Sequence, residues 1–244
     1  RYDHVANPVF NDWGRYVAVG DLDGVNGPDV VFANTLAHGT GPQVFLNQGN
    51  GILLRSWAPP PALTASAVAL GDFDRDNDLD IVVARPSLVP PVFFLNDGRG
   101  RFTFEPVGSR LTDNLNAKSV CAADFDGDGW TDIFFGMQDP DQCRIYLNDR
   151  TGRFVDATAT HLPWAVQGCA QHVVASDLDR DGDFDIVIAM GGFCGPKQEN
   201  VVLWNDGRGH LTPLLLGLRR WSLYVATGDV DGDGLLDLVF GNDG

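Results

Sequence analysis

The sequence predicts an all-β protein assembled from repeated four-stranded antiparallel units, on three observations. Glu and Lys are nearly missing, with Glu at 105 and 199 and Lys at 118 and 197, in a chain of 244 residues that holds 29 Gly and 14 Pro. Good helix formers are therefore scarce and turn formers abundant. A ten-residue Asp-rich segment recurs five times, its first aspartates at 21, 72, 124, 177 and 229, spaced 51, 52, 53 and 52 residues apart. Each copy is framed by β-branched and aromatic runs, the signature of strands on both sides of a tight polar turn.

Taken in order, each unit reads as strands A, B, C and D. Strand A precedes the acidic segment, as in Ser66-Ala-Val-Ala-Leu70 and His172-Val-Val-Ala175; strand B follows it, as Val30-Val-Phe32, Ile81-Val-Val83, Ile133-Phe-Phe135, Ile186-Val-Ile188 and Leu238-Val-Phe240. Strands C and D flank a second signature: Val44-Phe-Leu-Asn-Gln-Gly-Asn-Gly51, Phe93-Phe-Leu-Asn-Asp-Gly98, Ile145-Tyr-Leu-Asn148 and Val202-Leu-Trp-Asn-Asp-Gly207. Asn-Asp-Gly between apolar runs is a hairpin turn, because Asn and Gly tolerate positive φ. Four antiparallel strands at a period near 50 residues are the pattern of β-propeller blades. The units begin near 16, 66, 118, 171 and 223, within a single propeller domain or a fragment of one spanning 1–244. Arg1-Tyr2 aligns with the start of strand D and Leu238 to Phe240 with strand B, so four complete blades are expected with a partial blade at each end. A stretch of a longer propeller, completed by missing blades or another chain, is preferred to a closed five-bladed ring, which would leave a strand edge open.

Within each segment aspartates fall at relative positions 1, 3, 5 and 9. Alternate placement turns three side chains of a curved loop onto one point, and the aspartate at 9 opens strand B and closes the cage. Hard oxygen ligands in flexible geometry suit Ca2+, at six to eight oxygens and about 2.3 to 2.6 Å, better than the smaller octahedron of Mg2+. No soft ligand set is present to select zinc or copper. The predicted ligands are Asp72, Asp74, Asp76 and Asp80; Asp124, Asp126, Asp128 and Asp132; Asp177, Asp179, Asp181 and Asp185; and Asp229, Asp231, Asp233 and Asp237. In the first segment Val25 stands at position 5 and Asn26 one place later, leaving Asp21, Asp23 and Asp29, so this site is weak, rebuilt around Asn26, or vacant. Four Ca2+ sites and an uncertain fifth are expected. An EF-hand is excluded because the bidentate Glu at position 12 is replaced by Val83, Phe135, Ile188 and Phe240.

These segments, Asp-x-Asp-Gly-Asp-Gly-x-x-Asp followed by the Leu-Asn-Asp-Gly-x-Gly-x-Phe hairpin, resemble the FG-GAP or VCBS repeats of integrin-α-like propellers, over nearly the whole chain. The resemblance implies a seven-bladed parent. It also implies that position 7 donates a backbone carbonyl to the metal, here from Asp78, Trp130, Asp183 and Leu235.

A net charge of −16 argues against a nucleic-acid partner, and no apolar run reaches the roughly 18 residues of a membrane span. Twenty-one of the aspartates lie in the five short segments, where like charges repel unless a cation joins them. The remaining residues offer little catalytic chemistry: the five histidines occupy unrelated repeat positions, and Asp113, Asp139, Asp141 and Glu199 are the pool of acids outside the loops. Among the cysteines, Cys121 reads as a small core residue, Cys169 and Cys194 as a disulfide across two loops of one face, and Cys143 as free or paired with Cys121.

The D-to-A and B-to-C loops, opposite the calcium loops, vary most, and function gathers on such loops. Trp57, Trp164, Arg219, Arg220 and Trp221 are the candidate ligand contacts there, each tryptophan having the alternative part of a plug between blades. The expected function is that of a secreted or cell-surface, Ca2+-stabilised, non-catalytic binding or adhesion module for a protein or carbohydrate ligand. The alternatives are a polysaccharide-active enzyme or its accessory module, and a structural subunit of an extracellular assembly.

Overall fold

A computed structural model describes residues 14–34, 41–57, 63–106, 108–162, 166–191 and 198–243. The expected opening in a strand D at Arg1-Tyr2 lies outside these residues. The chain divides into two compact units, Arg1–Asn114 and Leu115–Gly244.

The first unit holds two four-stranded antiparallel sheets. β1 (Gly14–Gly20), β2 (Asp29–Asn34), β3 (Gln43–Asn47) and β4 (Leu53–Trp57) form one, and β5 (Ala67–Gly71), β6 (Asp80–Ala84), β7 (Val92–Asn96) and β8 (Phe102–Phe104) the other, each in sequential order. Leu22, Val31, Ala33 and Val44 of the first sheet share a core with Val68, Ile81, Val83, Val92 and Phe94 of the second.

The second unit repeats the arrangement. Its sheets are β9 (Ala117–Ala123) to β12 (Phe154–Asp156), with β10 (Asp132–Met137) and β11 (Arg144–Asn148) between, and β13 (Ala170–Ser176), β14 (Asp185–Met190), β15 (Gln198–Asn205) and β16 (Leu211–Arg220). A two-stranded sheet of β17 (Ser222–Gly228) and β18 (Asp237–Asn242) follows. β14 is buried along its whole length: Ile186 and Ile188 pack toward the third sheet, while Val187 and Ala189 pack toward β17 and β18. Burial on both faces explains why these second strands read as unbroken apolar runs.

The fold is thus all-β in sequential four-stranded antiparallel blades, as the repeat predicts. Three particulars differ from the sequence reading. A short helix, α1 (Thr158–His161), follows β12. Trp57 is the last residue of β4, and its ring packs 4.7 Å from Phe94 and 5.3 Å from Phe102 of the neighbouring sheet; it fills the space between two blades. Arg219 and Arg220 lie in strand and not in loop, because β16 runs ten residues, paired Glu199 to Arg219 and Gln198 to Arg220 beyond a bulge. Gly217, at φ 74°, supplies the kink.

Cys169 is disulfide-bonded and Cys121 and Cys143 are buried free thiols, which removes the alternative pairing of those two. Cys194 and Trp164 lie outside the described residues.

Candidate metal centres

Each acidic loop joins the first two strands of its sheet and is built by its own carboxylates. Positions 4 and 6 adopt left-handed backbone in all five copies: Gly24 and Asn26, Arg75 and Asn77, Gly127 and Gly129, Arg180 and Gly182, Gly232 and Gly234. That conformation is what the Asp-Gly-Asp-Gly spelling serves, since glycine enters it without steric cost. The turn is pinned by side chains. The position-6 N–H donates to the first aspartate at 2.8 to 3.2 Å in the last four loops (Asn77 to Asp72, Gly129 to Asp124, Gly182 to Asp177, Gly234 to Asp229). The position-7 N–H donates to the position-5 aspartate in the same four.

The aspartate at position 9 has a separate part. Asp29, Asp80, Asp132, Asp185 and Asp237 each accept the N–H of position 2, at 2.7 to 3.1 Å. The first four also accept the N–H of the asparagine that ends strand C: Asn47, Asn96, Asn148 and Asn205, at 2.7 to 2.9 Å. One buried carboxylate thus ties the A-to-B loop to the C-to-D hairpin. Burial pushes Asp80 and Asp132 up to about 7 against the pull of those two N–H donors, and raises Asp29 and Asp185 as well.

Three carboxylate oxygens lie within 4.8 Å of one another in every loop: Asp21, Asp23 and Asp29; Asp72, Asp74 and Asp80; Asp124, Asp126 and Asp132; Asp177, Asp179 and Asp181; Asp229, Asp231 and Asp237. The donor sets fit a hard cation. One oxygen each of Asp74 and Asp177 is buried with no hydrogen-bond partner, an arrangement that costs free energy unless something positive meets it. Burial and the neighbouring Asp76 raise Asp74, and burial and Asp128 raise Asp126; a bound cation would lower both.

Other predicted residues fall outside these triads. Asp76, Asp128 and Asp233 are absent from them, and in the fourth loop Asp181 takes the place of Asp185. Asp128 is held instead by Arg150 Nε at 2.7 Å, and Asp74 is approached by Arg110 at 3.5 Å. Asp78 and Asp183 turn their carboxylates over Gly98 and Gly207 of the adjacent hairpins, where a Cβ would collide with them. The first loop assembles its triad without a position-5 aspartate. The Asn26 side-chain amide donates to the Asn47 carbonyl at 3.3 Å.

Sequence reasoning missed the hairpin asparagines as latches. Asn96 Nδ2 donates to the Leu22 carbonyl of the preceding sheet at 2.8 Å and to Leu79 at 3.1 Å. Asn205 Nδ2 does the same to Phe125 at 2.8 Å and Phe184 at 3.1 Å. Both outer acceptors are position 2 of a neighbouring acidic loop. Of the candidate ligand contacts, Arg219 pairs with Glu199 at 3.2 Å, Arg220 ends β16, and Trp221 stands between β16 and β17 with its carbonyl accepting from Asp243 at 2.8 Å.

Sequential four-stranded blades, each carrying a carboxylate triad in its A-to-B loop, define a repeat protein of the β-propeller class. The family model described as FG-GAP-like repeat matches residues 21–83, 89–135, 124–188 and 189–240, and the chain belongs to that family. It is similar to cartilage acidic protein 1 of Mus musculus, 25% identical over 190 residues, covering 73% of this chain and 29% of that protein. Integrin alpha-4 of Xenopus laevis is 24% identical over 204 residues, covering 72% of this chain and 19% of its own length. The chain therefore spans less than a third of these relatives. Among solved structures, a lectin of Agrocybe aegerita described as recognising non-reducing terminal N-acetylglucosamine aligns with TM-score 0.52 and 20% identity, over 81% of this chain and 50% of that one; the likeness is one of fold.

Proposed function

We propose that this chain is a calcium-loaded, non-catalytic binding module of the extracellular space or cell surface, for a protein or carbohydrate ligand. The observation that carries it is the recurrence of a carboxylate triad at the same end of all five sheets. Five like loops cannot converge on one substrate, so their metal is structural, and specificity falls to the opposite, variable ends. Ca2+ would neutralise the clustered carboxylates, taken up by the triads together with the position-5 aspartates and the carbonyls of Asp78, Trp130, Asp183 and Leu235. Millimolar extracellular calcium fills sites of modest affinity that cytosolic levels leave empty. Similarity to an integrin α chain and to cartilage acidic protein supports an adhesion-type role over catalysis. No helix among the described residues is long and apolar enough to cross a membrane. The reading takes 1–244 as one propeller domain, so melting should follow a single transition.

The test is a calcium titration by calorimetry with melting curves in Ca2+ and in EGTA. At a hundredfold excess over Kd each site adds about 2.7 kcal/mol, so EGTA should lower the midpoint steeply and Asp126→Ala should remove one site. An EGTA midpoint equal to that in Ca2+ would overturn the reading.

A further inference from the structure

We propose that the end of the third sheet opposite its acidic loop carries a pocket for a neutral saccharide, an inference that rests on the binding-module reading and gives it a site. A cavity of about 380 Å³ is lined by Gln142, Arg144, Asp156, Thr158 and Ala159. Two of these residues come from strand ends, Arg144 opening β11 and Asp156 closing β12. Gln142 is fixed by a β-bridge to Gln167, and Thr158 and Ala159 lie on α1.

The polar groups are held before any ligand arrives. Arg144 donates to Asp156 Oδ2 at 2.8 Å, the Thr158 N–H donates to Asp156 Oδ1 at 2.9 Å, and Thr158 Oγ1 accepts from the Ile145 N–H at 3.1 Å. Such bracing lowers the ordering cost of binding. Each carboxylate oxygen keeps acceptor capacity beyond its one bond, the guanidinium is a fork of donors, and the Gln142 amide is both donor and acceptor. Donors and acceptors therefore alternate around one cavity, as vicinal hydroxyls require. The charges of Arg144 and Asp156 cancel, so the lining does not select an anion, and phosphate or carboxylate ligands gain nothing over a neutral polyol. The volume is near the lower end of ligand pockets, about 300 to 1,000 Å³, which suits one or two sugar rings. Among the described residues Ala159 is the lone apolar lining residue and none of the lining is aromatic, so affinity per site should be weak, about millimolar.

Saturation-transfer NMR on the calcium-loaded full chain tests this, with N-acetylglucosamine, galactose, mannose and lactose as probes and sialic acid and glucose 6-phosphate as charged controls. At least one neutral sugar should show transfer to its ring protons, and Gln142→Ala or Arg144→Gln should weaken it about tenfold, the loss of one charge-assisted or amide hydrogen bond. Arg144 is 40% exposed, so its replacement should leave the melting midpoint and calcium stoichiometry unchanged. Absence of transfer from every neutral sugar, transfer undiminished in both variants, or binding of the charged controls alone would overturn the pocket. Those results with calcium loading intact leave the binding-module reading standing, whereas failure to load calcium strikes that reading.

Discussion

Replacing Asn205 by alanine should cost the second unit about 3 kcal/mol. The side chain donates to the Phe125 carbonyl at 2.8 Å and the Phe184 carbonyl at 3.1 Å, and its Oδ1 accepts from the Gly209 N–H at 3.1 Å. Asn205 is buried, and the Phe125 bond lies in the interior between two sheets. A made hydrogen bond is worth about 1 kcal/mol net, and leaving its buried partner unmet costs 1 to 3 kcal/mol. Three bonds lost give about 3 kcal/mol, and at roughly 2 to 4 °C per kcal/mol for a cooperative unit of this chain's length the midpoint should fall about 6 to 12 °C. Calorimetric melting in saturating Ca2+ reads it. Asn205→Asp separates the latch from the hairpin: it keeps an acceptor for Gly209 but sets a carboxylate against two carbonyls, and should be at least as unstable. A fall under about 2 °C for alanine, or recovery by aspartate, would refute the view that the amide holds one sheet to the next.

Three further outcomes follow from single residues. Arg180 sits at φ 65°, as Arg75 does at φ 63°, where the other three loops have glycine; left-handed backbone costs a non-glycine residue about 1 to 2 kcal/mol, so Arg180→Gly should raise stability by about 0.5 to 1 kcal/mol after the entropy glycine adds to the unfolded chain, read by urea titration. Burial holds the His172 imidazole below its ordinary 6.5, and its Nδ1 faces the Val225 N–H at 3.4 Å with the Tyr224 ring alongside. Because the folded value is depressed, the unfolded chain takes the proton first; stability is intact above 6.5 and falls as pH drops below it, and His172→Gln should flatten that part of the stability curve relative to wild type. Burial pushes the Cys143 thiol up to about 11 and Cys121 further, so neither should react with Ellman's reagent until the protein unfolds.

The blades were legible because a period repeated five times averages out local ambiguity, and the aspartate register is part of that period. What the chain hid were interactions between units of the repeat. Asn96 and Asn205 read as turn formers tolerant of positive φ, yet positive φ falls on Gly98, Gly100, Gly207 and Gly209 while the asparagines end strand C and reach a neighbouring carbonyl. No local pattern distinguishes those uses. The end of β16, with Arg219 and Arg220, looked like loop because Gly217 and the Arg pair break its alternation, though pairing with β15 carries it through Arg220. The stacked rings of His161 and His210, 4.8 Å apart at 8°, join residues 49 apart in sequence, and neither position has a histidine counterpart in other copies.

The carboxylates of one loop are therefore unequal, and the first loop shows in what order. It carries Val25 at position 5, and still Asp21, Asp23 and Asp29 gather within 4.8 Å and Asn26 keeps the left-handed turn. Position 5 is thus dispensable for assembling the cluster. Position 9 has a different task, because its two oxygens receive two converging backbone N–H groups, from Leu22 and Asn47 in this loop. An amide in its place would have to point an NH2 at one of those donors, leaving a buried N–H unmet. The same carboxylate sits between the acidic loop and the hairpin whose asparagine, in the second and fourth sheets, grips the preceding blade. A cation bound at position 9 would thereby steady an interface it never touches, and the shared carboxylate couples acidic loop and Leu-Asn hairpin wherever both occur in the repeat.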